Sequence, residues 1–258
     1  QIAALTTQQM AGLSVLNLSA FSQDQIQAIE TADLAALSTA NLRSLIVDQM
    51  VALKAEQLNA LTDSQIAGLS ASNITALTRP QIQALETGRL QAISTANMQA
   101  LLSSQVLALS TAQLVALSGA QVVAMLGPVG QVRAALLTDS QIAALSTNQA
   151  YALTPTQVAG LTSAQVQALS SDQYTVLRTA VLAALQTVQV QALETGDLLA
   201  LSTAQLRALS AAQLVALGSD QIAALASSQV ASFGTATAAA LTSAQMAVLN
   251  TQNLSALS

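Results

Sequence analysis

The sequence has 258 residues, of which 52% are hydrophobic and only 7% are charged, and it contains no His, Cys or Trp. Without these residue types it offers no imidazole base, no thiol nucleophile, no zinc site of the usual ligand set and no disulfide framework. We therefore predict that the protein is not an enzyme and has no catalytic, cofactor-binding or metal-binding residues, no cofactor and no small-molecule substrate. The net charge of −5, with two Phe and two Tyr as the aromatic residues, excludes nucleic acid as a partner.

A repeat of eight residues organises the chain. From Leu5 onward a large apolar residue recurs at every eighth position as far as Met125, and the series restarts at Leu137. Fifteen octads, one unit of twelve residues and fifteen further octads follow one another at residues 5–124, 125–136 and 137–256. We predict one continuous octapeptide-repeat domain over residues 1–258 with a register break at 125–136, and we expect it to be part of a longer array.

The break contains Gly127-Pro-Val-Gly130, a turn-forming sequence. It predicts a surface bulge or a kink between two half-arrays. Apolar runs elsewhere are interrupted by Gln, Ser or Thr before they approach the ~18 residues that a membrane-spanning helix needs, so no membrane span is predicted.

The consensus of the octads is L-[ST]-x-x-Q-[ILV]-x-A, with the large apolar residue, mostly Leu, as position 1. Eight residues at about 100° per residue cannot keep one face of a continuous helix inward, so the helix must break once in every octad. The segment [ST]-x-x-Q is a capping box, which predicts a new helix in each octad. Pro80 and Pro155 fall in the first turn of these helices, where no backbone donor is needed.

Helices of about five or six residues do not persist alone in water, so they must stack on their neighbours. The predicted fold is all-α: a solenoid, or superhelix, of very short capped helices, with an inner wall of positions 1, 6 and 8 and a solvated middle. Where position 2 lacks a hydroxyl, Thr at position 3 is expected to cap the helix one residue later, as at Thr31, Thr87, Thr179, Thr187 and Thr195. A β-solenoid is the alternative, disfavoured because Ala, Leu and Gln are strong helix formers.

Two pairs of carboxylates, Glu30 with Asp33 and Glu194 with Asp197, are spaced closely enough to share a cation or a proton. Acidic residues also belong in the first turn of a helix, where they meet the positive end of its dipole, and this structural explanation is favoured. The sequences around Glu30 and Glu86 are similar and lie seven octads apart, which indicates either a duplicated block of seven octads or a spacing set by a neighbouring chain.

Position 5 is Gln or Asn in 25 of the 30 octads. This column predicts either a ladder of ligand-binding amides or, as we favour, the second half of each capping box. Asn17, Asn73 and Asn253 lie in N-glycosylation triplets, but they occupy position 5, and replacement of one capping amide by another explains them more simply. Rows of Ser and Thr could carry glycans or order ice, although N-capping uses the same hydroxyls.

The octad resembles the nearly uniform Leu/Ala/Thr/Gln tandem arrays of very large secreted or surface-exposed bacterial proteins. The resemblance implies a non-catalytic structural protein located outside the cell or at its surface, as a filament, stalk or surface-layer-like assembly. Self-association, end to end or lateral, is the expected partnership. The alternative is a binding module, such as an adhesin arm or a glycan- or ice-binding domain, that uses a Ser/Thr/Gln outer wall.

Overall fold

The computed structural model describes residues 2–127 and 133–257, and the contacts divide the chain into two units, Gln1–Met125 and Leu126–Ser258. Residues 128–132, which hold most of the predicted bulge or kink, lie outside the described residues. Gly127, just before them, takes a φ of 89°, a left-handed conformation that glycine adopts without strain. The continuity of a single solenoid through 125–136 stays a prediction.

The first unit contains fifteen α-helices among its described residues, preceded by a short 3-10 helix at Ile2–Ala4. They are α1 Thr7–Ala11, α2 Val15–Ser19, α3 Gln23–Gln27, α4 Thr31–Ala36, α5 Thr39–Arg43, α6 Val47–Ala52, α7 Ala55–Ala60, α8 Asp63–Gly68, α9 Ala71–Ala76, α10 Arg79–Ala84, α11 Thr87–Ala92, α12 Thr95–Ala100, α13 Ser103–Val106, α14 Thr111–Ala116 and α15 Gly119–Met125.

The second unit also has fifteen α-helices in its described part, after a 3-10 helix at Ala134–Leu136. They are α16 Asp139–Ala144, α17 Thr147–Ala152, α18 Pro155–Ala159, α19 Ser163–Gln167, α20 Ser171–Val176, α21 Thr179–Ala183, α22 Thr187–Gln191, α23 Thr195–Ala200, α24 Thr203–Arg207, α25 Ala211–Ala216, α26 Ser219–Ala223, α27 Ser227–Val230, α28 Thr235–Ala240, α29 Ser243–Ala247 and α30 Thr251–Ala256.

One helix per octad, with no strand in the described residues, confirms the all-α solenoid and shows that the β-solenoid alternative is wrong. In α14 the N-cap Ser110 is extended (φ −73°, ψ 162°) and its hydroxyl accepts from the Gln113 N–H, while Leu117 ends the helix in another extended conformation (φ −68°, ψ 148°). Positions 2 and 1 therefore stop the helix at both ends, as the capping box predicts. No helix of the described part is long and apolar enough to cross a membrane.

The expected one-residue slip of the cap is wrong. Where position 2 lacks a hydroxyl, the helix still begins at position 3. Except at Asn250, whose side chain caps α30, the N-cap is then a position 2 residue that makes no side-chain cap bond, such as Glu86 or Arg178. Thr87 and Thr179 are then the first helical residues and not caps. The register of each octad is held by something other than the hydroxyl at position 2.

Both units are built by the same stacking rule: each helix packs against the helix three places further along the chain, from α1 on α4 to α12 on α15 and from α16 on α19 to α27 on α30. Hydrogen bonds between stacked coils join residues 28 and 31 apart, as from Gln113 to Leu85 and Ile82. A turn of 28 residues equals three and a half octads, so position 5 of one coil lies over position 1 of the coil before.

This spacing gives a physical basis for a duplicated block that carries the two similar sequences around Glu30 and Glu86, while a spacing set by a neighbouring chain stays a prediction. Their separation of seven octads equals two turns of 28 residues, so α4 and α11 occupy the same place in the turn, two coils apart. Seven octads, or 56 residues, are the shortest block that contains both a whole number of octads and a whole number of turns.

The core consists of the large side chains at positions 1 and 6, as predicted, but its third column is position 5. Leu114 and Leu117, at positions 6 and 1, are buried, and so is Gln113 at position 5. The buried Gln113 shows that the prediction of a solvated middle is wrong at position 5. Position 8 is mostly half-buried, as at Ala116, so the prediction of a buried column there is wrong as well. Position 8 still admits close approach, since a Cβ on Gly68 would lie 3.2 Å from Thr39 Cβ in the coil below.

An insertion series tests the half-octad offset. A second copy of residues 61–68 inserted after Ala60 keeps position 5 over position 1 in every coil, so the variant should unfold at the wild-type temperature or above. Four residues inserted at the same point place position 5 over position 5 and break the bonds from Gln65, Asn73 and Gln81 to the coil below. We expect a loss of at least ~3 kcal/mol in the free energy of unfolding, measured by chemical denaturation, because buried unpaired carbonyls cost ~1–3 kcal/mol each. Equal stability of the two insertions would contradict the offset.

Candidate functional site

The buried amides at position 5 form the candidate site, and Gln113 shows how each one works. Its Oε1 accepts from the N–H of Ser110, the N-cap of its own helix, at 2.9 Å. Its Nε2 donates to the carbonyls of Ile82 at 2.9 Å and Leu85 at 2.8 Å, and more weakly to a third carbonyl between them at 3.2 Å. One side chain therefore caps its own helix and binds the chain of the preceding coil.

The same two-sided arrangement recurs along both units. Gln side chains at position 5 that donate to carbonyls both 28 and 31 residues earlier are Gln49, Gln57, Gln65, Gln81, Gln105, Gln113 and Gln121 in the first unit and Gln165, Gln173, Gln189, Gln205, Gln213, Gln221, Gln229 and Gln245 in the second. We call this column the amide ladder.

The amide ladder does not need the hydroxyl of the capping box. At Lys54, Leu102, Gly218 and Ala226, none of which has a side chain that can cap, the backbone N–H still donates to the Gln three residues later, at 2.7 to 2.9 Å. This explains why position 5 is Gln or Asn in 25 octads while position 2 is Ser or Thr in only 18. It also explains why these four helices keep their register without the hydroxyl, whereas the octads of Glu86 and Arg178 lack both the hydroxyl and the amide. The capping interpretation of the Gln column is right but covers only half of its contacts.

Asn at position 5 makes a shorter connection. Asn73 Nδ2 donates to the Leu45 carbonyl 28 residues earlier at 2.9 Å, and Asn41, Asn97 and Asn253 repeat this single bond. The side chain has one methylene fewer than Gln, so it reaches the nearest carbonyl alone. In the folded chain Asn73 and Asn253 are buried with their amide nitrogens engaged, so neither is placed to receive a glycan, whereas Asn17 of the first coil is exposed.

In two octads that lack an amide at position 5, another side chain donates to the position 1 carbonyl of the coil before. Arg89 stands at position 5 itself, and its Nη1 donates to the Leu61 carbonyl 28 residues earlier while also pairing with Asp63 at 2.8 Å. Position 5 of another octad is Val181, which has no donor. There Arg178, three residues before it, reaches the Leu153 carbonyl at 2.7 Å. Its guanidinium also lies 5.8 Å from the centre of the Tyr151 ring, a cation–π contact.

A third exception is Asp197, a buried carboxyl at position 5, with 5% exposure. Its Oδ1 accepts from the Ser171 hydroxyl at 2.8 Å, just as Asn253 Oδ1 accepts from Ser227 at 2.7 Å. An ionised carboxylate has no hydrogen to donate to the coil below. The carbonyl of Val166, the position 6 carbonyl that a Gln in place of Asp197 would meet, instead accepts from the buried Tyr174 hydroxyl at 2.6 Å.

Burial raises the pKa of Asp197, with a smaller contribution from Glu194, although the hydrogen bond from Ser171 opposes the shift. Burial also raises the pKa of the Tyr174 phenol, and the carboxylates of Asp197 and Glu194 add to it, so the phenol remains a donor at neutral pH. Each carboxylate pair includes one buried member, Asp33 with 4% exposure and Asp197 with 5%. Among residues 2–127 and 133–257 no group of three or more Asp or Glu side chains is arranged to hold a metal ion.

A substitution series at Gln113 separates capping from bridging. Gln113→Leu strands the Ser110 N–H and the Leu85 carbonyl and leaves the Ile82 carbonyl with the Leu85 N–H alone, and we expect it to cost ~3 kcal/mol or more of unfolding free energy. Gln113→Asn should cost about 1 kcal/mol, because the shorter amide keeps one bridge as Asn73 does. The matched control Ser110→Ala removes only the cap and should also cost about 1 kcal/mol. If Gln113→Leu were no more harmful than Ser110→Ala in urea denaturation, the amide ladder would have no role beyond capping.

Asp197 gives the second unit a predicted pH dependence. Because its pKa is higher in the folded than in the unfolded chain, the folded state binds more protons between the two values. Its contribution to the free energy of unfolding is therefore largest below the unfolded pKa of ~3.9 and falls as pH rises through the folded pKa. Asp197→Asn restores a donor and should be more stable than wild type at pH 7, with the difference shrinking toward pH 4. Thermal unfolding of both proteins across pH 4–8 checks this, and a constant difference would contradict it.

The chain is similar in two segments, residues 26–63 and 190–227, to the ALTTAQ repeat family. One matched segment lies in each unit. The letters of that name follow the octad from position 8 to position 5, as at residues 200–205, which read ALSTAQ. The name therefore ends at the amide of the ladder. No curated protein matches the chain. The fold and this match together show a tandem-repeat protein.

Proposed function

We propose that this chain is a structural, non-catalytic repeat protein whose stacked coils provide the body of an extracellular filament, stalk or surface-layer-like assembly. The observation that supports this is the amide ladder. Each octad of the ladder brings both the apolar side chains that cover its neighbour and the amide that binds the preceding coil. A chain of such octads gains length by adding coils, and every coil contributes its own stabilisation.

The polar groups of the octad are largely used by the fold, which favours a structural role over a ligand-binding one. Twenty of the position 5 residues are Gln, and those of the ladder point into the interior, so the supposed Ser/Thr/Gln outer wall loses its amides. Many hydroxyls at position 2, such as those of Thr62 and Ser110, accept from the N–H at position 5. Fewer polar groups remain for a glycan or an ice lattice than the sequence suggests.

An extracellular or cell-surface location belongs to the same proposal. It is supported by the resemblance of the octad to arrays of secreted and surface proteins and by the sparse charge. The chain has seven Lys and Arg in 258 residues, so trypsin-like proteases find few sites. Most of the described octads are also capped and bonded to the coil before them, as that of Gln113 is.

Extension by coils is tested by duplicating residues 53–108, a block of seven octads. Two added turns, stacked at the usual helix separation of 8–10 Å, should lengthen the particle by ~20 Å and raise its helical signal in proportion to its length. Small-angle scattering and circular dichroism measure the two quantities. The matched control carries the same duplicate with its position 5 Gln and Asn residues changed to Glu, and it should gain neither. If the variant with the unmodified duplicate had the same maximum dimension as wild type, the proposal that added coils lengthen the protein would be wrong.

A further inference from the structure

Two octads of the first unit depart from the consensus in the same way. Position 2 is a large aliphatic residue in these two octads alone, Ile46 in one and Leu102 in the other. Both octads also have an aliphatic residue at position 7, Val51 and Leu107. All four side chains are exposed, Ile46 by 54% and Leu102 by 48%. The same departure from the consensus therefore places large apolar side chains on the surface twice.

The two sets of apolar side chains lie in line. Ile46 and Leu102 are 56 residues apart, so they occupy the same place in the turn, two coils apart. The coil between them presents residues 74–79 at this place, and the side chains there are lower. The short, half-buried ones are Thr75, Ala76 and Thr78. We call residues 46–51 and 102–107 the first and second ridges, and residues 74–79 the groove between them.

The ridges are not covered by any other part of the described chain. Elsewhere a large side chain at position 2 can engage the preceding coil, as Arg178 does at the Leu153 carbonyl. Ile46 and Leu102 stay in solvent, and they lack the hydroxyl that caps other helices. The exposed apolar surface is on the order of 400 Å², the size of the largest patch on a typical monomer, and such patches are often functional. A contact outside the molecule therefore explains the ridges better than the fold does.

The ridges and the groove carry opposite charges. Asp48 is exposed on the first ridge, three residues before Val51 on the same helix. Arg79 is exposed in the groove, 28 residues after Val51 and 28 before Leu107, so it lies between the ridges and in line with both. Neither Asp48 nor Arg79 has an ion-pair partner among the described residues. A face with a negative ridge beside a positive groove is complementary to itself.

Area and charge both favour a second copy as the occupant of this face. The apolar surface is about half of what one partner buries in a standard interface, so the occupant must also cover the polar groove. A lipid surface would bury the Asp48 carboxylate without a partner, whereas a second copy offers Arg79. We infer that two copies of this chain pack antiparallel through this face, with the first ridge of each copy seated in the groove of the other. The inference rests on the proposed structural function and deepens it by naming the partner.

A two-fold axis between the first ridge and the groove relates the two copies, so the contact is made by the same surface on both. Val51 then lies against the aliphatic stem of Arg79 of the second copy. The guanidinium of that arginine reaches Asp48, one helical turn earlier on α6. The axis repeats this ion pair. The second ridge falls on residues 18–23 of the other copy, which include the short exposed side chains of Ser19, Ala20 and Ser22. Each ridge therefore meets a lower coil.

An exchange of the two charges tests the pairing. Asp48→Arg and Arg79→Asp each bring like charges together at both symmetric contacts, so each variant should self-associate at least about tenfold more weakly than wild type. An equimolar mixture of the two variants restores unlike charges and should associate like wild type. The matched control Glu56→Arg makes the same charge change at the exposed position 4 of the next octad, outside the face, and should leave association unchanged. Sedimentation velocity from micromolar to millimolar concentration measures the dissociation constants.

A return to the consensus separates association from folding. Ile46→Ser combined with Leu102→Ser supplies the position 2 hydroxyl that caps α14 at Ser110, so the dilute, monomeric protein should melt at the wild-type temperature or above. The same variant loses apolar surface from both ridges, and its association should weaken at least about tenfold. A purely structural role of the two residues predicts the opposite result, a lower melting temperature with unchanged association.

The inference would be overturned by a wild-type chain that stays monomeric at millimolar concentration, by a mixture of the two charge variants that associates no better than either alone, or by equal effects of Asp48→Arg and Glu56→Arg. Flotation of the wild-type monomer with phosphatidylcholine–phosphatidylglycerol vesicles, abolished by the two Ser substitutions, would assign the face to a lipid surface instead. None of these outcomes touches the proposed function, because the duplication of residues 53–108 measures the length of the monomer. A chain that lengthens on duplication but does not pair refutes the pairing alone.

Discussion

The structure depends on one carboxamide shared between two levels of backbone. A primary amide carries an acceptor oxygen and a nitrogen donor at opposite corners of one rigid plane. At position 5 the oxygen closes the start of a helix and the nitrogen closes the end of a helix in the coil below, as Gln57 does between Lys54 and the carbonyls of Ile26 and Ile29. Short helices leave many backbone groups unpaired at both ends, and this single side chain satisfies groups at both.

In three of the five octads that lack an amide at position 5, another side chain donates to the position 1 carbonyl of the coil before or to the position 6 carbonyl beside it. Arg89 supplies this donor from position 5, Arg178 from position 2 and Tyr174 from the octad that follows the carbonyl. These three side chains have little in common except an N–H or O–H long enough to reach the site. A buried carbonyl without a partner costs ~1–3 kcal/mol, so a level whose position 1 carbonyl has no donor would be a weak point.

Much of the fold follows from the sequence. The octad spacing excludes a continuous helix, and the capping box at Ser110 and Gln113 places each helix start, because both signals are local and recur along the whole chain. The bridging half of the amide ladder could not be predicted, because the carbonyls that Gln113 meets are 28 and 31 residues away and the number of octads per turn depends on packing. A signal was present: position 5 keeps its amide at Gln57 and Gln105, where no cap hydroxyl requires it. The similar sequences at Glu30 and Glu86 already spanned two full turns.

The octad has eight residues and the turn has 28, and because 28 is not a multiple of eight, the direction in which a given octad position points changes from turn to turn. Since a turn holds three and a half octads, neighbouring octads point in different directions, and a given position returns to the same line along a unit only after two turns. A charged or ligand-binding side chain that occurs once in every seven octads therefore forms a straight row along the unit, with one member in every second coil. A side chain that occurs in every octad is instead distributed around the circumference. Duplication of a seven-octad block copies a surface row in line. Duplication of any smaller number of octads also preserves the interior contacts, but it places the copied surface side chains at a different angle around the solenoid axis.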